Sequence, residues 1–556
     1  MKKNHFLACF IPFFLSCILT RSVFAQRPSA SSEAMMDSVF AKYNNKTGPG
    51  CAVAVIRDGK VIFKKAYGMA NLEYSMPLTP ASVFDVASLS KQFTGYAIAT
   101  LIQQGKLSED DDIRKYLPNV PDFGEAITVR RLLHHTSGVR DWPNTLVAAG
   151  WKWSEEASFE DIMRMVYNQT TLNFKPGAEY SYSNTGYNLL AAVVENITRI
   201  SFREWTQKNI FQPLGMHCTL FLDNLSEIIP DVVDSYTYER GQWGKMTDVL
   251  TAYGSSSLYT SIDDLCRWVI HFQQGIQTKD PVILQMLRQD TLLNGNPVHY
   301  GYGVEMEDDR GLYMIRHTGA WAGFRTTIRN YPAENTSFIL LSNGGDNTIN
   351  NVYSDVVTSI FLPGKFKQAP QPHQFDTTHL HFIRLDSMAL SKFAGSYKWG
   401  GAEVVYTVEK GQLIFQYTGE MKLPTKPITD TSFFLPRAGL PITFGREKDG
   451  TINTFTFRDR VGKRFQLHIP TTAELAEYAG SYSSSELQTT YTITVESGRL
   501  VIHHFRRGDF VMSSDVKDEF NGDIGTLHFT RRNNAVTGFS LSINDITGLR
   551  FDKWAH

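Results

Sequence analysis

Residues 51 to 74, CAVAVIRDGKVIFKKAYGMANLEY, set two apolar runs on either side of Arg57, Asp58, Gly59 and Lys60. An Asp-Gly pair between apolar runs is a strong hairpin signal, so an antiparallel pair is expected to open a domain. Past Ser88 the period lengthens: Phe93, Ala97, Ile98, Leu101 and Ile102 recur at steps of three and four until Gly105. That spacing predicts an amphipathic helix with a glycine stop. ITVRRLLHHTSGV and NTGYNLLAAVVENITRI repeat the helical pattern, the first ending at Gly138, and IRNYPAENTSFILLSN returns to strand. Antiparallel strands at both ends with helices between them predict an α/β (α+β) domain over about residues 33–362.

The pattern breaks in LPGKFKQAPQPHQFDTTH, where Pro, Gln and Lys replace the periodicity, and residues 363–384 are assigned as a linker. Beyond it, short strand-like runs alternate with Gly and Asp turns, and the chain repeats itself. LSKFAGSY at 390–397 returns as LAEYAGSY at 475–482, and VEKGQL at 408–413 returns as VESGRL at 495–500. Two segments repeating in the same order predict two copies of one β module, 385–470 and 471–556, each long enough for a small antiparallel barrel.

Length and charge agree with several folded units. At roughly 100–200 residues per domain, 556 residues exceed one ordinary core. Lys plus Arg is 55 against 56 for Asp plus Glu, so no general field draws the protein to nucleic acid, and substrate recognition must be local. Lys2 and Lys3 precede FLACFIPFFLSCILT and then SVFAQ, a secretory signal over residues 1–25 with cleavage expected after Ala25 and an exported, periplasmic or secreted product. The same stretch admits lipid attachment at Cys17, which would bring the protein to a membrane, but Phe14 suits ordinary cleavage better. Cleavage leaves Cys51, Cys218 and Cys266, an odd, widely spaced set that predicts neither a disulfide framework nor a zinc site. Cys51 reads as a small buried hydrophobe.

Three short stretches carry candidate chemistry. In SLSK, Ser88 stands one helical turn before Lys91. Such a pair also fits an ordinary helix start, with Ser88 or Ser90 as N-cap. A serine there has free backbone N–H groups and a positive dipole beside it, and Lys91 shares its face. Phe84, Val86, Ala87 and Leu89 predict a partly apolar pocket, where desolvation would lower the lysine pKa. The second stretch is YSYSNTGYN, which sets Tyr182 and Asn184 two residues apart, a pairing that ordinary turns also show. The third is MIRHTGAWAGF, where a strand-like run ends in His317, Thr318, Gly319 and Ala320; a surface hairpin also fits, and the glycine admits close backbone approach. His134 and His135 are adjacent, point about 100 degrees apart on a helix and lack a metal-binding pattern, so no metal or other cofactor is expected.

Taken together and in order, SLSK, YSN and HTG resemble the motif triplet of the penicillin-recognising serine hydrolases, SxxK, SDN and KTG. The Tyr-x-Asn form is similar to the branch of class C β-lactamases, D-alanyl-D-alanine carboxypeptidases, D-aminopeptidases and related esterases. LLHHTSG, PGAEYSYSN and GYG at 301–303 add local likeness, over roughly residues 35–360. The resemblance implies a β-lactamase/transpeptidase-like domain with an antiparallel sheet flanked by helices. It implies Ser88 as nucleophile forming an acyl-enzyme, Lys91 sharing its proton, and Tyr182 as partner base and then acid. Asn184 would bind the substrate amide, the N–H groups of Ser88 and Ala320 would form the oxyanion hole, and His317, Thr318 and Gly319 would line the substrate strand. Histidine at 317 departs from the lysine of class C β-lactamases and leans toward peptidase or esterase chemistry. Carboxylate recognition would then fall on Thr318 or a cation such as Arg325.

The expected function is an exported serine hydrolase acting on a small peptide, amide or ester, with a D-amino-acid peptidase or carboxypeptidase on cell-wall-type peptides such as peptidoglycan preferred. A β-lactamase or esterase of the same fold is the alternative, and a penicillin-binding sensor without turnover is the second class. Specificity is expected in loops 139–175 and 225–255, which sequence alone does not shape, and the role and self-association of the β modules stay open.

Overall fold

A computed structural model describes residues 30–367 and 380–554, apart from residues 240, 400–401, 418–421, 439, 458–459 and 466–467. The secretory signal, Cys17 and the middle of the linker lie outside the described residues.

The expected hairpin forms, but the helix Ala30–Val39 precedes it and opens the domain. Strands β1 (Cys51–Arg57) and β2 (Lys60–Tyr67) are joined by Asp58 and Gly59, at φ 50° and 70°, the left-handed pair of a tight two-residue turn. Four more strands, β3 (Glu305–Asp309), β4 (Leu312–Trp321), β5 (Phe324–Tyr331) and β6 (Thr336–Ser342), complete an antiparallel sheet of order β3-β4-β5-β6-β1-β2. Strand β1 is covered on both faces, which explains its unbroken apolar run. Ala52, Ala54 and Ile56 enter the larger core, while Cys51, Val53 and Val55 enter a second core under the helices Ala30–Val39 and Val352–Phe361.

Helix α1 (Ser90–Gln103) follows the predicted period and stops before Gly105, at φ 68°. It packs tightly on the GYG turn. A Cβ on Gly95 would lie 2.2 Å from the Tyr302 carbonyl oxygen, and one on Gly303 would lie 2.2 Å from that of Lys91. Helix α2 (Asn184–Thr198) is capped by Ser183, whose hydroxyl accepts from the Gly186 N–H at 3.3 Å. The segment ITVRRLLHHTSGV departs from expectation. Its helix covers only Val129–Leu133, and the chain turns at His135, φ 58°, before reaching Gly138. The ring of His135 explains the early stop: its Nδ1 accepts the Ser183 N–H at 3.0 Å, tying the turn to the start of α2.

The internal repeat is structural. In each copy a short helix, Ser387–Ser391 or Thr472–Tyr478, leads to a glycine at φ 146° or 144° and then a strand. A tyrosine on that strand donates back to the helix end, Tyr397 to Phe393 O at 3.1 Å and Tyr482 to Tyr478 O at 2.7 Å. VEKGQL and VESGRL both make left-handed two-residue turns at Lys410–Gly411 and Ser497–Gly498. The second copy closes as an eight-stranded barrel, Gly480–Ser484 pairing with Ile546–Lys553. The first is a nine-stranded sheet whose edge strands, Leu423–Pro424 and Lys426–Pro427, adjoin in sequence, so it nearly closes.

The barrel packs on loop 139–175. Arg140, fully buried, bonds Glu486 at 2.7 Å, Asn173 at 2.6 Å and Thr171 at 2.7 Å, and it also donates to the Thr547 carbonyl. Tyr491 donates to Ala148 O at 2.6 Å. Apolar residues of the barrel and of the first domain form one continuous core.

Candidate active site

Ser88 lies in a 3-10 turn, Ala87–Leu89, immediately before α1. Neither serine caps the helix: position Leu89 is the N-cap, without a side-chain bond, and Ser90 donates to Ala87 O at 2.5 Å. Ala87 adopts φ 49°, a conformation rare for a residue with a Cβ, and Asp85 holds it there by accepting the Ala87 N–H at 2.7 Å. The result is a half-buried Ser88 side chain at the front of a helix.

Lys91 is fully buried, and its Nζ donates to Ser88 Oγ at 3.1 Å, Asn184 Oδ1 at 2.8 Å and Ser255 O at 2.9 Å. Burial drives its pKa down to about 7, against the opposing pull of the Asp141 carboxylate. A lysine near 7 is neutral in a large fraction of molecules at physiological pH, and a neutral amine accepts a proton from the hydroxyl it contacts.

Tyr182 lies over the same group, its ring centre 4.8 Å from Lys91 Nζ and its hydroxyl in hydrogen-bonding contact with Ser88. Desolvation pushes the phenol well above its ordinary range, and the bond to Ser88 acts in the other direction. Its ring packs at a tilt against His135, centres 4.3 Å apart, and Tyr300 packs edge-on against that imidazole at 4.4 Å.

Asn184 begins α2. Its Oδ1 accepts the hydrogen bond from Lys91, while its Nδ2 and backbone N–H donate to Asp141, at 2.9 and 2.6 Å. Asp141 also accepts from the Thr185 N–H at 3.0 Å, so one carboxylate closes the helix N-terminus and orients the amide that meets Lys91. Burial raises its pKa to about 6. Sequence reasoning missed Asp141; the carboxylate follows Arg140 in an unpatterned loop and offers no local signal. The carbonyl of Ser255 was equally invisible.

His317 faces inward. It is buried, its Nδ1 lies 2.7 Å from Thr318 O and its Nε2 lies 2.8 Å from the Tyr300 hydroxyl. A carbonyl only accepts, so Nδ1 carries the proton and Nε2 accepts from Tyr300. Burial, followed by the charge of Lys91, lowers the imidazole pKa to about 3, so the ring is neutral. Arg325 is committed elsewhere, to Asn347 at 2.5 Å and to the carbonyls of Ala322 and Phe324 at 3.0 and 2.6 Å. Half-buried Thr318 and exposed Ala320 remain on the substrate side.

Gly319 explains the approach of β4 to the serine. A Cβ there would lie 2.3 Å from Val86 O and 2.3 Å from Thr326 Oγ1, so the strand rests directly on the turn that carries Ser88. Strand β3 pairs with β4 only from Leu312 to Arg316, and among the described residues no strand pairs with the outer edge from His317 to Trp321. Tyr180, Tyr300, Glu305, Glu307 and Tyr313 line an adjoining groove of about 840 Å³.

A helical layer against an antiparallel sheet, with a serine and a buried lysine meeting beside a free strand edge, defines the β-lactamase and transpeptidase-like class of serine hydrolases. The chain belongs to the Beta-lactamase family, whose model matches residues 36–353. It is 26% identical to penicillin-binding protein 4* of Bacillus subtilis over 455 residues, covering 76% of this chain and 96% of that one. It is 28% identical to a D-aminopeptidase of Gluconobacter oxydans over 318 residues, 57% of this chain and 59% of that relative. The octameric penicillin-binding protein homologue of Pyrococcus abyssi shares the fold, with a TM-score of 0.52 at 19% identity over 86% of this chain and 99% of that one.

Proposed function

We propose that the protein is an exported serine hydrolase that forms an acyl-enzyme on Ser88 and acts as a D-amino-acid peptidase on cell-wall-type peptides. The observation that carries this reading is Lys91, fully buried, with its pKa near 7 and its amine 3.1 Å from the Ser88 hydroxyl. In the neutral form Nζ takes the hydroxyl proton as Oγ attacks the carbonyl carbon. The N–H groups of Ser88 and Ala320 receive the developing oxyanion. Collapse breaks the C–N bond, and the proton passes from Lys91 through the Tyr182 hydroxyl to the leaving amine. Water then attacks the ester and releases Ser88, with Lys91 and Tyr182 again moving the proton.

The neutral His317 and the committed Arg325 leave the strand edge without a fixed cation, which favours D-amino-acid amides over β-lactams and over peptides that end in a free carboxylate. Similarity to a D-aminopeptidase supports the same choice. The test is a panel of D-alanine amides, acyl-D-alanyl-D-alanine peptides, nitrophenyl esters, nitrocefin and a fluorescent penicillin, run on the protein and on Ser88→Ala. D-amide or D-peptide turnover that Ser88→Ala abolishes supports the proposal. Turnover of nitrocefin or esters alone, or lasting penicillin label without turnover, replaces it with the β-lactamase, esterase or sensor reading, and activity surviving in Ser88→Ala refutes the site.

A further inference from the structure

A second pair of carboxyl groups lies beneath the Ser88 turn. Asp85 ends the short strand Val83–Asp85 and is fully buried. Its Oδ1 accepts the Ala87 N–H, but its Oδ2 is buried with no donor pointing at it. The Asp85 side chain is in hydrogen-bonding contact with another carboxyl, that of Asp248. Asp248 is well supplied: Tyr259 donates to it at 2.6 Å, Trp321 Nε1 at 2.9 Å, and the Leu250 N–H as well. Two ionised carboxylates cannot share such a contact in a buried site, because no charge or donor between them offsets the repulsion. One proton between them resolves both the repulsion and the orphaned oxygen.

We propose that Asp85 carries that proton and donates it to Asp248, and that this bond is a positioning device locking the Ser88 turn to the end of β4. The location of the proton follows from the donor count. Burial raises the pKa of Asp248 too, but three donors favour its anion against that burial, whereas Asp85 has one. Desolvation followed by the Asp248 charge also drives Asp85 well above the usual carboxylate range. Among the described residues, Asp248 is the charged side chain that acts on Asp85. Tyr259 on the strand Leu258–Ser261 and Trp321 on β4 complete it, both neutral.

The geometry gives the bond its consequence. Asp85 fixes Ala87, the residue before Ser88. Trp321 follows Ala320 and is held by Asp248. The pair therefore ties together the two backbone segments that supply the proposed oxyanion hole, across the contact that Gly319 makes with Val86. This catalytic consequence rests on Ser88 being the nucleophile; the place of the proton does not.

Two isosteric substitutions separate the roles. In Asp85→Asn the amide oxygen still accepts from Ala87 and the NH₂ still donates to Asp248, so penicillin acylation of Ser88 is expected to stay within about threefold of the wild type. In Asp248→Asn an NH₂ group faces donors, and acylation is expected to fall at least ~10-fold through misplacement of the oxyanion segments. Asp85→Ala should fall similarly. The independent readout is infrared difference spectroscopy at neutral pH: the wild type should show a buried carboxylic acid C=O band that disappears in Asp85→Asn. Absence of such a band, its survival in Asp85→Asn, or the reverse order of the two amide variants would overturn the proposal. Penicillin labelling that persists in Ser88→Ala would instead refute the nucleophile, leaving the infrared result to stand on its own.

Discussion

Lys91 sets the pH behaviour of the site. Its pKa falls from 10.5 to about 7 because no bulk water solvates the ammonium, and the neutral amine is the form that accepts the Ser88 proton. Acylation should therefore rise with pH through about 7 and level off above it, measured by stopped-flow labelling; a flat profile from acid to alkaline pH contradicts the assignment. Lys91→Arg keeps a cation that does not deprotonate, so it should lose roughly the 10² to 10⁴ typical of a general base without a matching loss of fold. Tyr182→Phe should cost a similar factor, most severely for amides, whose leaving nitrogen needs a proton, and less for nitrophenyl esters, whose leaving group does not. The Ser88 and Lys91 pairing was legible only together with YSN and HTG, since the spacing alone also fits a helix cap, whereas the apolar pocket that shifts the lysine was readable from the flanking residues. Asp141 was not, since it meets Asn184 across 43 residues of chain.

Among elements, β4 decides the geometry. Its inner surface rests on the Ser88 turn at Gly319, and because β3 stops at Glu305 its outer edge has no strand partner among the described residues. Gly319→Ala would place a methyl group against the Val86 carbonyl and move the strand off the turn. Activity is expected to drop by about 10² for a displacement near 1 Å, with a smaller change in thermal unfolding; equal activity in a correctly folded Gly319→Ala refutes the packing argument. The motif HTG marked this strand, but the inward turn of His317 depended on Tyr300, seventeen residues earlier, presenting a hydroxyl. Helix α1 was set by local period and its glycine stop. The short Val129–Leu133 helix was not, because the tertiary bond from Ser183 to His135 overrides a helical pattern that continues in sequence.

At the scale of the molecule, the second barrel braces loop 139–175 from behind the site. Arg140 adjoins Asp141 and meets Glu486 with both side chains almost wholly buried, at 0% and 3% exposure. Removing one partner of such a pair leaves a buried charge. Glu486→Ala is expected to destabilise the protein by about 3–5 kcal/mol, whereas Glu486→Gln, which keeps a bond, should cost less. Thermal unfolding measures both, and faster proteolysis within residues 139–175 of Glu486→Ala would locate the change. An unchanged melting temperature would show that the barrel contact contributes no net stability. Asn144 and Asp545, 2.5 Å apart, bring the barrel hairpin to the same loop. The contact joins residues hundreds of positions apart and left no trace in the local pattern.

What the sequence determined by itself is what neighbours along the chain determine: the β1–β2 hairpin, the period of α1, the duplicated modules with their paired turns, and the Ser88–Lys91 spacing. These rest on local backbone preference and side-chain period, which act within a few residues. Tertiary structure decided the rest. It chose Asp141 as the group that orients Asn184, turned His317 onto Tyr300, placed a carboxyl pair under the Ser88 turn, and set a barrel against the loop beside the site. Each of these is a hydrogen bond or charge contact between distant segments, and its strength comes from burial, which exists only once the chain has folded.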